Sequence, residues 1–169
     1  MIKFRWYYDK DDEEKFLNDM SAKGYAMKRF FLGIYWFDKC NPNEYTYRVD
    51  IINDKNKLEK KEFYDIVNET GAELVQTWGI WAFFRKKGSN FELYTDNESR
   101  INQYKRINRA FLSVGIFEVL LTINLLYNCF AHDIKSSIHI AILAIILDIT
   151  IFYQSYKCIK KISKLKNEL

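Results

Sequence analysis

The chain lacks most of what marks a disordered, disulfide-framed or recognisably catalytic protein. It has a single proline, and 49% of its residues are hydrophobic and 17% aromatic, which excludes intrinsic disorder. Its three cysteines, Cys40, Cys129 and Cys158, show no C-x-x-C spacing, so neither a zinc site nor a disulfide framework is expected. His132, Asp133 and His139 cluster but are too few and too irregular for zinc, and no metal or cofactor is expected. There is no phosphate-binding glycine loop, no H-E-x-x-H and no nucleophile constellation, so an enzyme is not expected. The first 97 residues carry 16 Lys/Arg against 17 Asp/Glu and no groove-reading motif, which argues against nucleic acid as a partner. The opening MIKFRWYYDKDDEEK has no apolar core of the length a secretory signal needs, so this part is expected in the cytosol.

What the chain does contain is unevenly placed. Residues 98–169 hold 10 Lys/Arg against 5 Asp/Glu, together with two long apolar runs. Residues 111–130, FLSVGIFEVLLTINLLYNCF, carry one charge, Glu118, and residues 138–153, IHIAILAIILDITIFY, carry one, Asp148. About 20 apolar residues cross a bilayer as a helix. With the short AHDIKSS between them, the runs predict a transmembrane helical hairpin over 111–156. Lys105, Arg106 and Arg109 precede it, and Lys157, Lys160, Lys161, Lys164 and Lys166 follow, so both chain ends are expected on the cytoplasmic side. Arg106, Arg109, Lys157, Lys160 and Lys161 suit anionic head groups, and residues 157–169 form a basic tail. Ile101, Tyr104, Ile107 and Phe111 recur at helical spacing, so a connector helix over 98–110, capped by Asp96 or Asn97, is expected to run straight into the first span.

Glu118 and Asp148 each lie nine residues inside the nearest flanking cation, at about 13 Å depth. Charges there are expensive, so both are expected to face protein or water: to share a proton, to meet a partner's cation, or to bond within the hairpin or a homodimer. Asn124 and Asn128 are candidates for holding helices together.

Residues 1–97 read as a duplication. EKFLNDMSAKGYAMKRFFLGIYWFDK (14–39) aligns with KEFYDIVNETGAELVQTWGIWAFFRK (61–86), with one residue lost in the second copy. Phe16 then matches Phe63, Gly24 matches Gly71, and Gly33-Ile34 match Gly79-Ile80. Each copy, about 2–40 and 45–87, reads strand, helix, hairpin, and the expected class is α+β with a β-α-β-β antiparallel plan. The predicted elements are strands over 2–8, 25–32, 34–40, 45–52, 72–78 and 80–87, with carboxylate-rich residues 9–14 opening the first helix and a second helix over 58–70. The helices are expected on one sheet face, over Phe4, Trp6, Tyr8, Tyr47, Val49 and Ile51. The opposite face would carry Arg5, Tyr7, Arg48 and Asp50, with Arg5 and Arg48 equivalent. It gains either Tyr35/Phe37 with Trp81/Phe83 or Trp36 with Ala82/Phe84, a one-residue ambiguity of face. Arg5, Tyr7, Tyr35, Arg48, Asp50 and Trp81 are therefore the candidate ligand residues.

The plan resembles the GyrI-like effector-binding fold in architecture. The residues KFRWYYDKDDEEKFLNDMSAKGYAMKRFFLGIYWFDK, EYTYRVD, TWGIWAFFRKK and FELYTDNESRINQYKRI resemble domain of unknown function 2812, a family of small bacterial membrane proteins, over about residues 2–109. That resemblance implies a bacterial cytoplasmic-membrane location and, because such genes often neighbour PadR-type regulators, a regulatory partner; it carries over no catalytic residue. The reading that follows is a membrane-anchored sensory or interaction module that binds a small ligand or a regulator on a free sheet face. The alternative is an accessory subunit of a membrane transporter or signalling complex that works through its hairpin.

Overall fold

The chain divides into two units, Met1–Thr95 and Asp96–Leu169, in a computed structural model that describes residues 1–52, 56–131 and 138–168. The first unit runs β1 (Ile2–Phe4), α1 (Lys10–Ala22), β2 (Tyr25–Phe31), β3 (Ile34–Lys39), β4 (Tyr45–Ile51), α2 (Lys57–Glu69), β5 (Ala72–Trp78), β6 (Trp81–Lys87). Its strands form two antiparallel sheets, ordered β1-β3-β2 and β4-β6-β5, so the class is α+β.

Local chemistry sets the boundaries. Asp9 caps α1 by accepting the Asp11 N–H at 3.0 Å, and Asp11, Asp12 and Glu13 fill the first turn, where carboxylates meet the positive end of the helix dipole. Asn56 and Glu59 form a reciprocal capping box at the start of α2. Between β2 and β3 the chain turns on Leu32 and Gly33, both at positive φ (45° and 79°), the signature of a type I′ hairpin turn.

The two sheets share one bulge position: register shifts between Met27 and Arg29 in β2 and between Leu74 and Gln76 in β5. Ile2 stands opposite Trp36 as Val49 stands opposite Phe83, and Met27 opposite Phe37 as Leu74 opposite Phe84. Each correspondence spans the same 47 residues, so no residue is lost in the second half. The glycine only changes place in the turn, second in Leu32-Gly33 and first in Gly79-Ile80. A one-residue slip inverts faces. Tyr35 and Phe37 therefore correspond to Ala82 and Phe84, and Trp36 to Phe83, which is neither of the two expected pairings. Strand β1 is also shorter than the expected 2–8. Arg5 is not the counterpart of Arg48, because the Arg5 N–H bonds Gly33 O (2.8 Å) just as the Ile52 N–H bonds Ile80 O (3.0 Å).

The expected helix face is corrected as well. Helix α1 lies on the Tyr35/Phe37 side of its sheet, where Phe16 meets both rings, and α2 lies on the Ala82/Phe84 side of the other, where Phe63 meets Phe84 edge-on. The second sheet is thus buried on both faces. Val67, Ala72, Ala82, Phe84 and Phe91 pack on the α2 side, while Tyr47, Val49 and Phe83 join Leu17, Met20, Met27, Phe30, Tyr35 and Phe37 in the main core. Burial of such apolar area is the main driving force for the fold.

Helix α1 also seals the open edge of β4. Its Glu14, Asn18 and Ser21 side chains accept the N–H groups of Val49 (2.9 Å), Tyr47 (2.7 Å) and Tyr45 (3.1 Å) in turn. One helix face repeats every three to four residues, about 5 to 6 Å, close to the two-residue repeat of a strand, so a short polar ladder can replace a neighbouring strand. The edges of β2 and β5 meet through the Gln76 amide, which accepts from the Phe30 N–H and donates to its carbonyl, each at 2.8 Å.

In the second unit, α3 (Asn97–Ala131) and α4 (Ile138–Lys166) are long and apolar enough to cross a membrane. Asp96 caps α3 by accepting the Ser99 N–H at 2.7 Å, and the helix continues without a break into the first apolar run. Helix α3 meets α4 along positions seven apart. Asn108 accepts from Ser155 (2.6 Å), Gly115 faces Ile151, and Thr122 donates to Asp148 (2.9 Å). A Cβ on Gly115 would stand 3.1 Å from Ile151 Cγ2, so glycine there lets the helices approach closely. The expected tight connection, with His132 and Asp133, lies outside the described residues.

Candidate functional site

The candidate ligand residues do not gather. Arg5 is exposed just past β1, its Nη1 donating to the Phe4 carbonyl (3.1 Å). Tyr7 turns inward and packs on Phe16, 5.5 Å between centroids. Tyr35 is buried in the core and donates its hydroxyl to Glu13. Trp81 is half-buried against the same core. Asp50 is wholly buried, accepting from the Tyr94 hydroxyl (2.7 Å) and the Ile51 N–H (2.8 Å). Arg48 alone reaches a cleft, of about 420 Å³, shared with Thr70, Lys86, Asn90, Phe91 and Glu92. Its guanidinium is already engaged there, 2.7 Å from Glu92 and 3.9 Å from Glu14.

The electrostatics of α1 explain part of this scatter. Glu13 and Glu14 are both packed inward, and burial pushes both carboxyls above the ordinary carboxylate range, Glu13 to about 7. Lys10 offsets Glu14 at 3.3 Å, and Glu14 also holds the Val49 N–H. Burial raises the Tyr35 hydroxyl too, and the neighbouring Glu13 adds to the rise. These groups form a structural network that holds Tyr35 in the core, while Arg48, 3.9 Å from Glu14, stays at the cleft and pairs with the exposed Glu92.

The open face is a different one. On the outer side of β1-β3-β2, Ile2 (61% exposed), Phe4 (63%) and Phe31 (47%) surround the half-buried Ile34 and Trp36. The Arg29 guanidinium lies 5.4 Å over the Trp36 ring. Forty-seven residues on, the same positions are Val49 (0%), Ile51 (2%), Trp78, Trp81 and Phe83 (1%), which belong to or pack against the interior. One composition thus forms core in one sheet and surface in the other. Ile2, Arg29, Phe31 and Ile34 were not among the candidates. The signal that reveals them is the constant 47-residue spacing, which puts them in line with core positions.

In the helical unit, Asp148 bonds Thr122 rather than Glu118; its second oxygen is buried with no hydrogen-bond partner among the described residues. Glu118 is half-buried and makes no hydrogen bond or ion pair with described residues. Asn124 is exposed on the side of α3 away from α4. Among the basic residues, Lys161 lies 5.3 Å over the Tyr104 ring, Arg109 and Lys160 are exposed, and Arg106 and Lys157 are half-buried. No disulfide joins the cysteines, and no cluster of His, Cys, Asp or Glu able to hold a metal occurs among the described residues.

A family model described as "Protein of unknown function (DUF2812)" matches residues 9–116, more than half of the chain. No curated protein and no solved structure matches it.

Proposed function

The chain belongs to the DUF2812 family, and from that premise we propose that it is a membrane-anchored interaction module that binds a regulator protein through the outer face of its first sheet. The observation that carries this reading is the exposure of Ile2, Phe4 and Phe31 around Trp36, at positions whose counterparts are buried. A contiguous apolar patch on a soluble unit marks an interaction surface. The unit is rigid beneath it, because β3 is paired on both sides and backed by Phe16. Aromatic anchors beside Arg29, whose guanidinium lies over Trp36, and the exposed Lys28–Asp38 ion pair suit an apolar patch with a polar rim on a protein partner.

We read the two sheets as copies of one β-α-β-β unit, supported by their common strand order, shared bulge and constant spacing. The comparison with the GyrI-like fold rests on that plan alone. The hairpin α3–α4 would span the bacterial cytoplasmic membrane with both ends inside, held by Arg106, Arg109, Lys157, Lys160 and Lys161.

The partner most consistent with this reading is a PadR-type regulator. Full-length protein carrying Phe4→Glu and Phe31→Glu should lose capture of that regulator while its melting temperature stays put, since both side chains are on the surface. Capture that survives both substitutions would exclude this face. A second reading, an accessory subunit of a membrane complex, is favoured by the polar groups exposed along α3.

A further inference from the structure

Helix α3 has two seams, and α4 fills only one. Gly115 and Thr122 face α4. On the far side, positions 114, 117, 121, 124 and 128 recur at alternating spacings of three and four, which places them in one stripe. Val114 (55%), Phe117 (62%) and Leu121 (43%) are exposed there, and the stripe then turns polar at Asn124 and Asn128. Asn128 Nδ2 donates to the Asn124 carbonyl (2.7 Å) and to Asn124 Oδ1 (3.1 Å). The Asn124 amide hydrogens and the Asn128 amide oxygen bond nothing among the described residues. The surface of α4 offers no such pair: Ile140, Leu143, Ile146 and Ile149 are exposed, and Thr150 bonds back to the Ile146 carbonyl (2.9 Å).

We propose that the chain forms a parallel homodimer in the membrane through this stripe, with Asn124 and Asn128 bonding across the two-fold axis. The proposal rests on the reading of α3 and α4 as membrane spans. In hydrocarbon an amide left unbonded is strongly disfavoured, and interhelical contact is the means of satisfying it. The occupant is a second copy for a symmetry reason. All copies insert with one topology, so a two-fold along the membrane normal makes their α3 helices parallel and sets each stripe position against itself. An amide carries both donor and acceptor and can pair with its own image; a carboxylate or an ammonium cannot. Asparagine in the contact seam of parallel helices plays this role in coiled coils.

The test uses the full chain in lipid vesicles. Resistance to alkaline carbonate extraction comes first; a chain washed off the vesicles overturns the membrane reading and the dimer with it. Energy transfer between labelled copies should then report dimers. Asn124→Leu with Asn128→Leu should weaken association tenfold or more (1.4 kcal/mol per factor of ten), whereas Leu143→Ala should leave it unchanged. With Cys40, Cys129 and Cys158 replaced by Ser, Leu121→Cys should cross-link to itself and Leu143→Cys should not. A carbonate-resistant monomer, a dimer indifferent to the Asn pair, or cross-linking at 143 alone overturns the dimer while leaving the anchor intact. Cross-linking of position 121 only to a different membrane protein also overturns it and favours the subunit reading.

Discussion

Glu13→Gln should make the protein more stable at alkaline pH, although it removes a carboxyl that accepts a hydrogen bond from the core. Burial is the main cause that raises the Glu13 pKa from 4.5 to about 7; the Tyr35 hydroxyl pulls it down and the charge of Glu14 pushes it up. The folded state therefore holds the proton more tightly than the unfolded state. Glu13 thus contributes stability that is complete below about pH 4.5 and is lost as the pH rises through about 7. At about 1.4 kcal/mol per pH unit, the loss is on the order of 3 kcal/mol, a large share of a small domain's margin. Glutamine keeps an acceptor for the Tyr35 hydroxyl and cannot ionise. Urea unfolding of the full chain in detergent, followed by tryptophan fluorescence from pH 4.5 to 8.5, should give two curves that meet at the acid end and separate towards pH 8, with the variant above. Glu14 is raised as well, so both curves keep a residual slope of the same sign, and their difference isolates Glu13. Tyr35→Phe should move the midpoint of that difference upward, because it removes the bond that lowers the pKa. Parallel curves, or a variant less stable than the parent at pH 8, would refute the reasoning.

Asn18→Ala should cost about 1–3 kcal/mol in the same assay, because it strips partners from both the N–H and the carbonyl of Tyr47 on the sealed β4 edge. Gly33→Ala should cost a similar 1–3 kcal/mol: its φ is +79° and a Cβ would stand 2.9 Å from the Arg5 carbonyl oxygen. Gly71→Ala, also at φ +79° but with nothing nearer than 3.8 Å, should cost less, and an equal loss would show that crowding at Gly33 is unimportant. Thr122→Val should loosen the helical hairpin by about 1 kcal/mol in an SDS-titration unfolding assay by removing the one donor bonded to Asp148 among the described residues.

Much of this architecture is legible in the amino-acid sequence. The carboxylates of 9–14 announced the start of α1, and Gly24, Gly33, Gly71 and Gly79 together with the internal similarity located β2 to β6 to within a residue or so, whereas the alternation over 2–8 overstated β1. The apolar runs pointed to α3 and α4, two helices long and apolar enough to cross a membrane. The ligand face was not readable, because the helices were expected over the more apolar side of β1 and β4, opposite to the side that α1 and α2 cover, and because the two turns were aligned on their glycines. Aligning Gly33 with Gly79 is natural, since glycine marks turns, but a two-residue hairpin accepts glycine at either position. That single-residue shift exchanged the faces of β3 and β6, and hydrophobicity could not correct it, because both faces of the second sheet are buried.

The sequence by itself therefore determined the elements, their order, their caps and the division into a mixed unit and a helical one, since these depend on neighbours within a few residues. Only the tertiary structure decided which face of each sheet is covered, that Glu14, Asn18 and Ser21 close the β4 edge, and that Asp148 answers Thr122 instead of Glu118. Those outcomes depend on groups brought together from distant parts of the chain. The same aromatic and aliphatic pattern became core around Phe83 and surface around Trp36 because α1 and the first sheet pack over the Phe83 side of the second sheet, while the Trp36 side of the first stays exposed at Ile2, Phe4 and Phe31.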